Sequence, residues 1–304
     1  MEPLDWIRFF LGASMLCYGS WTDLMTRRVP NQVWIVSGSF GSLLLIYELS
    51  TQEWGYHVWA LVFATIVLFY NAFIDEYILD KNQNMLWQLI QVLAIISVIY
   101  FFFKVDSEEM SYDNKLLDIL AISVLMIFMY IWFYFGPTIG GADVKAIMTI
   151  GLVVPFTFSI NDNPIMAFET RGFPYPFVVF MNSLLLYLII PIFLAFYNLI
   201  KGNLEKPYFQ IFFGTKMSLN KARESFVWPM QQIIGDKPIM VTFVKYKEDL
   251  ESQWDKLEDK GINEPWISFK IPYIIPLTLA FFASALFGDL FSMYLVEPIN
   301  SLFN

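Results

Sequence analysis

The chain has 304 residues, of which 57% are hydrophobic, 19% aromatic and only 15% charged, with a mean hydropathy of +0.53. A soluble domain carries about 25% charged residues, so composition excludes an ordinary soluble enzyme and points to a polytopic membrane protein. The formal charge of −9 offers no nucleic-acid face, and the single cysteine, Cys17, excludes an internal disulfide or a thiolate zinc cage.

A bilayer-crossing helix needs about 20 mostly apolar residues. In chain order such runs are Trp6–Thr22, Val33–Leu49, His57–Ile74, Met85–Phe103, Leu116–Phe135, Ala146–Phe158, Tyr175–Ile200 and Ile271–Val296, the sixth being short. The expected fold class is an all-α polytopic membrane protein: a bundle of about eight (six to eight) transmembrane helices with a small cytoplasmic α/β insertion before the last helix. The N-terminus lacks the basic region and small-residue cleavage site of a secretory signal, so Trp6–Thr22 reads as a retained span. Cys17 lies inside it as a packing residue. Ser37, Gly38, Ser39, Gly41 and Ser42 in the second run mark close helix packing.

Orientation follows from Lys and Arg in the loops. With the N-terminus outside, 15 of the 19 basic residues fall on the inner side: Arg27, Arg28, Lys81, Lys145 and those from Lys201 to Lys270. Arg8, Lys104, Lys115 and Arg171 then face out, beside acids such as Glu2 and Asp5. Residues 1–200 form the helical region and 201–270 a soluble cytoplasmic insertion; 271–304 are the final helix and tail. In the insertion, Pro238–Tyr246 reads as a strand and Lys247–Lys260 as a charged amphipathic helix. Phe226, Val227, Trp228, Ile233, Ile234, Ile239 and Met240 are among its candidate core.

The chemistry centres on Gly140-Gly141-Ala142-Asp143-Val144-Lys145. An acid at the mouth of a membrane helix is costly to desolvate and is a functional candidate, and glycines let the backbone bend and be approached closely. Asp23 is the candidate partner. An even number of predicted spans separates the two acids, so both lie at the same membrane face. Two carboxylates sharing a water divide the work: one keeps its proton as acid, and the other is the base that activates water. The plainer alternative is that Asp143 N-caps its helix and Asp23 is a topology or capping charge. No H-E-x-x-H is present, and His57 lies on the wrong face for a serine dyad. Asp289 lies too far along the last span to join the pair. Asp75, Glu76 and Asp80 share the inner face.

At these residues the chain resembles a known family. Asp23-Leu-Met-Thr-Arg-Arg28-Val-Pro30-Asn31 resembles the first-aspartate segment of the type IV prepilin peptidases and archaeal preflagellin peptidases. Gly140 to Lys145 looks like their GxGD motif, and Lys270-Ile-Pro272-Tyr-Ile-Ile-Pro276 is similar to the start of their final helix in archaeal members. The resemblance implies a membrane aspartic endopeptidase that removes the short basic leader of pilin-like or archaellin precursors at the cytoplasmic face. On that carry-over Asp23 and Asp143 are catalytic, and Gly140, Gly141, Ala142 and Lys145 support the motif. Arg28, Pro30 and Asn31 orient site or substrate. No metal or cofactor is implied; the partners are the precursor and the lipid bilayer, with no nucleic acid.

Two departures stand out. Ala142 replaces the motif's second Gly, and the 120-residue gap between the aspartates is long for an archaeal member. The cysteine-rich zinc loop of bacterial relatives is missing, so proteolysis without methylation and an archaeal source are expected. An ion- or proton-coupled transporter using Asp143 and Asp289, and a non-catalytic assembly scaffold, remain the competing readings.

Overall fold

A computed structural model describes residues 3–74, 80–105, 114–135, 140–156, 173–235, 237–241 and 250–299. The chain is mostly helical and forms two compact units: Met1–Leu184 with Pro272–Asn304, and Leu185–Ile271.

The first unit opens with α1 (Pro3–Thr26), α2 (Asn31–Ser50), α3 (Tyr56–Ile74), α4 (Lys81–Lys104) and α5 (Asn114–Phe135). Next come α6 (Gly141–Val153) and α7 (Tyr175–Lys201), which carries the chain into the second unit. After the second unit, α10 (Ile274–Phe287) and α11 (Ser292–Ile299) complete the bundle. Five of these, α2, α3, α4, α5 and α7, are long and apolar enough to cross a membrane, or six crossings if α10 and α11 make one broken span. The protein is thus a multi-pass helical membrane protein. The apolar side chains of α4 are mostly exposed, as suits a helix whose surroundings are lipid and not water.

Three expected spans take a different form. The first is α1, a helix of 24 residues that is not among those long and apolar enough to cross a membrane. The sixth is α6, only 13 residues long, about 20 Å at the helical rise, and so too short for the ~30 Å hydrocarbon core. Val144 and every residue from Ala146 to Val153 are buried, so α6 is apolar because protein surrounds it on all sides. The eighth is broken by 81° between α10 and α11. Gly288 ends α10 with φ 76°, a conformation that favours glycine. Asp289 then accepts hydrogen bonds from the Ser292 N–H (3.0 Å) and Oγ (2.6 Å).

The broken backbone is satisfied by Asn182 of α7. Its fully buried side chain donates to the Gly288 carbonyl and Ser284 Oγ (both 2.9 Å) and accepts from the Phe291 N–H (2.9 Å). Backbone groups left unpaired in an apolar interior are expensive. Asn182→Leu is therefore expected to destabilise the protein by about 3 kcal/mol, seen as a lowered melting temperature in detergent by tryptophan fluorescence.

Close packing fixes α6. On α2, Ser37, Gly38, Gly41 and Ser42 are buried, and a Cβ at Gly41 would stand 2.8 Å from backbone atoms of Leu152 and Val153. Arg8, placed by the sequence on the outer side of the membrane, is buried. It donates to the Val153 carbonyl (3.0 Å), at the C-terminal end of α6, and to Glu48 (2.9 Å), which Lys115 also contacts (2.8 Å). A cation at a helix C-terminus meets both the unpaired carbonyl and the negative dipole end.

In the second unit, β1 (Thr215–Lys216), β5 (Trp266–Phe269) and β2 (Val227–Pro229) form an antiparallel sheet in that order, and β3 (Gln231–Ile234) pairs with β4 (Lys237–Met240) as a hairpin. α8 (Leu219–Glu224) and α9 (Leu250–Asp259) pack with them. Their core is Leu219, Ala222, Val227, Ile233, Trp254, Leu257 and Ile267. Of the expected core, Phe226 and Ile239 are exposed. The expected strand begins as β4, and 242–249 lie outside the described residues.

Candidate active site

Asp23 lies one turn before the end of α1. That end is set by Arg27, whose φ of 57° is left-handed and whose N–H donates to the Asp23 carbonyl at 2.9 Å. Thr26 Oγ1 donates to the Arg28 carbonyl (2.9 Å), and Pro30, extended at φ −61° and ψ 136°, launches α2. A proline has no N–H to leave unpaired at a helix start. Arg28 is exposed, while Asp23 and Asn31 are partly buried.

Asp143 sits in the first turn of α6. Its carboxylate reaches back to accept the Gly140 N–H at 3.3 Å, and an acid here also meets the positive end of the helix dipole. The glycines serve space and not a bend. Gly140 has φ −75° and ψ 146°, open to any residue, but a Cβ there would stand 2.7 Å from Asp143 Oδ2. At Gly141 a Cβ would come to 3.1 Å from the Phe133 ring. Ala142 is an ordinary residue within α6, with no left-handed backbone to support.

The two motif segments meet. Lys145 Nζ donates to Asn31 Oδ1 at 2.9 Å and lies 4.9 Å from the centre of the Phe73 ring. Asn31 thus ties α2 to α6 with its amide oxygen. Phe73 was not singled out from sequence; its place in the last turn of α3, under a cation, carries no local pattern.

Both carboxylates lie outside the helices long and apolar enough to cross a membrane. Burial, then the nearby Asp23 charge, pushes the Asp143 carboxyl up to about 7, against the Gly140 N–H bond, which pulls it down. Asp23 is also raised by burial, with the Arg27 guanidinium opposing. The Asp23 charge thus adds to the effect of burial on Asp143. Arg27 rather than Arg28 is therefore the arginine acting on the aspartate. The arrangement sets two aspartates near each other, both with carboxyls raised by burial.

The remaining acids stay apart from this pair in role. Asp289 is used by Ser292. Asp80 precedes α4 without a side-chain cap bond, and Asp75 and Glu76 lie outside the described residues. Among the described residues no three His, Cys, Asp or Glu side chains group as metal ligands.

Comparison with known proteins places these residues in context. A family model for the type IV leader peptidase family matches residues 10–88, and one for the archaeal peptidase A24 C-terminus type II matches residues 206–290. Asp23 to Asn31 lies inside the first stretch, whereas Gly140 to Lys145 lies between the two. The preflagellin peptidase of Methanococcus maripaludis is 25% identical over 223 residues, covering 72% of this chain and 90% of that protein. That of Methanococcus voltae is 23% identical over 212 residues, 68% of this chain and 86% of the relative. An uncharacterised protein of Methanocaldococcus jannaschii is 21% identical over 301 residues, covering 97% of this chain and 94% of its own length.

Proposed function

Because this chain belongs to the archaeal prepilin and preflagellin peptidase family, we propose that it is a membrane aspartic endopeptidase removing the basic leader of archaellin or pilin-like precursors. The observation that carries this reading is the Lys145–Asn31 bond, which joins the two aspartate-bearing segments across 114 residues of sequence. In the proposed reaction Asp23, ionised, takes a proton from water as it attacks the scissile carbonyl. Asp143, protonated, donates to the carbonyl oxygen; as the tetrahedral intermediate collapses that hydroxyl returns its proton to Asp143, and Asp23 passes the proton taken from water to the leaving amine. Arg27 keeps Asp23 ionised, and Lys145 with Asn31 holds α6 in register. The site faces the cytoplasm in this proposal, and the transporter alternative loses support because Asp289 serves the α10–α11 break.

This division of labour makes the rate depend on pH at both ends. Asp143 must hold its proton, and its carboxyl is pushed up to about 7, so cleavage is expected to fall above about pH 7, approaching tenfold per pH unit. On the acid side activity is lost as Asp23 takes up a proton. The Arg27 charge opposes that uptake, so Arg27→Gln is expected to shift the acid limb to higher pH and leave the alkaline limb in place. The test is leader cleavage of a preflagellin by the full chain in lipid, followed from pH 4 to 9. A flat profile would remove the acid–base assignment.

A further inference from the structure

The turn that follows α7 exposes aromatic side chains where a soluble domain would be expected to hide them. In Tyr208–Phe212, a 3₁₀ turn, and the adjoining Phe213, the exposures are 57% for Tyr208, 48% for Phe209, 43% for Phe212 and 40% for Phe213. Only Gln210 and Ile211 turn inward.

Its position relative to α7 is fixed by buried contacts inside the second unit. Ile211 packs with Ala195 of α7, Met230 and Trp266. The fully buried Asn198 of α7 donates to the carbonyls of Ile211 (2.9 Å) and Gly214 (2.7 Å), and its own oxygen accepts from Thr215 Oγ1 (2.8 Å). The turn is therefore clamped beside the last two turns of α7, not suspended beyond its end. That part of α7 still looks like membrane helix: Phe193, Phe196 and Ile200 are exposed, and Lys201 closes it. Aromatic side chains next to the lysine-marked end of a crossing helix are the signature of the membrane–water boundary. The second unit's exposed aromatics thus stand at the depth where α7 leaves the bilayer.

From this we infer that the Tyr208–Phe213 turn is an interfacial anchor whose rings enter the boundary between lipid headgroups and acyl chains. The occupant of this surface is lipid, because the turn is held at the level along α7 where Phe193, Phe196 and Ile200 are exposed. Lys206 beside it suits the headgroup phosphates. An anchor of this kind holds the insertion against the membrane independently of catalysis.

The test places a fluorescent label in the full chain reconstituted in phospholipid nanodiscs. Cys17→Ser removes the native thiol, and Phe209→Cys, Phe213→Cys or the exposed α9 position Asp259→Cys supplies one attachment point. Brominated lipids are expected to quench labels at 209 and 213 at least twofold more than at 259, with aqueous iodide giving the reverse order. Iodide quenching at 209 and 213 equal to that at 259 would overturn the inference. So would shielding that appears only when a precursor is added, which would mark a protein-docking surface instead.

Discussion

Asp23→Asn and Asp143→Asn are each expected to lower leader cleavage by about a thousandfold or more, on the scale of losing the group that activates or protonates the reacting atoms. The double variant should be little worse than either single one, because the two carboxyls act as a unit and removing one disables the other. The two variants should differ in stability. Asp143 is raised from an ordinary 3.8 to about 7 by burial first and the Asp23 charge second. Between those values the folded chain holds a proton that the unfolded chain has lost, so the Asp143 contribution to stability declines as pH rises through that window. Asparagine does not titrate and can still accept the Gly140 N–H. Asp143→Asn is therefore expected to melt higher than wild type at pH 8, by up to about 4 kcal/mol of added stability, with the gap closing toward pH 4. A variant that is more stable and inactive separates chemistry from folding. Wild-type cleavage by either single variant would end the paired-carboxylate account.

Gly41→Val is expected to have the next largest effect, although it lies far along the chain from both aspartates. Its Cβ would enter at 2.8 Å from the Leu152 carbonyl and the Val153 nitrogen. Backbone atoms cannot rotate away, so α6 must move off α2. That displacement strains the Arg8 bond to the Val153 carbonyl at one end of α6 and the Lys145 bond to Asn31 near the other. Overpacking costs about 1–3 kcal/mol, and a shift near 1 Å of a catalytic group costs about a hundredfold in rate. The expected result is a lowered melting temperature together with a hundredfold fall in kcat. Gly12→Ala is the matching control. There the nearest atom is the tip of the Phe281 ring at 2.7 Å, which can yield more readily, so a milder effect on activity is expected. Equal losses in the two variants would show that α6 placement is not the sensitive feature.

Much of this was legible in the sequence because it depends on local pattern. Apolar runs located the helices α1 to α5 and α7, and the small residues Ser37 to Ser42 marked the face of α2 that packs closely. The Gly–Asp pair at 288–289 was in plain view as a stop and start signal, yet hydropathy alone ran the last helix through it. The break depends on Asn182, which is far away in the chain and supplies the missing backbone partners. α6 was misread as a short span for a related reason. A helix buried in protein and a helix buried in lipid have the same composition, and only length separates them. Arg8 escaped because its partners, Glu48 and Val153, are distant in sequence. At the candidate site, the two acids were readable from motif and parity. The Lys145–Asn31 link and the choice of Arg27 over Arg28 were not, since both are set by how helix ends meet in space.

The most direct measurement is cleavage of a purified preflagellin by the full chain reconstituted in lipid near pH 6.5, with an established preflagellin peptidase run beside it and products read by intact mass. The expected result is one product, shortened by its basic leader, from the wild-type chain. An intact precursor with this chain, while the established enzyme cuts the same sample, would contradict the proposal and favour a scaffold that kept the fold without the chemistry.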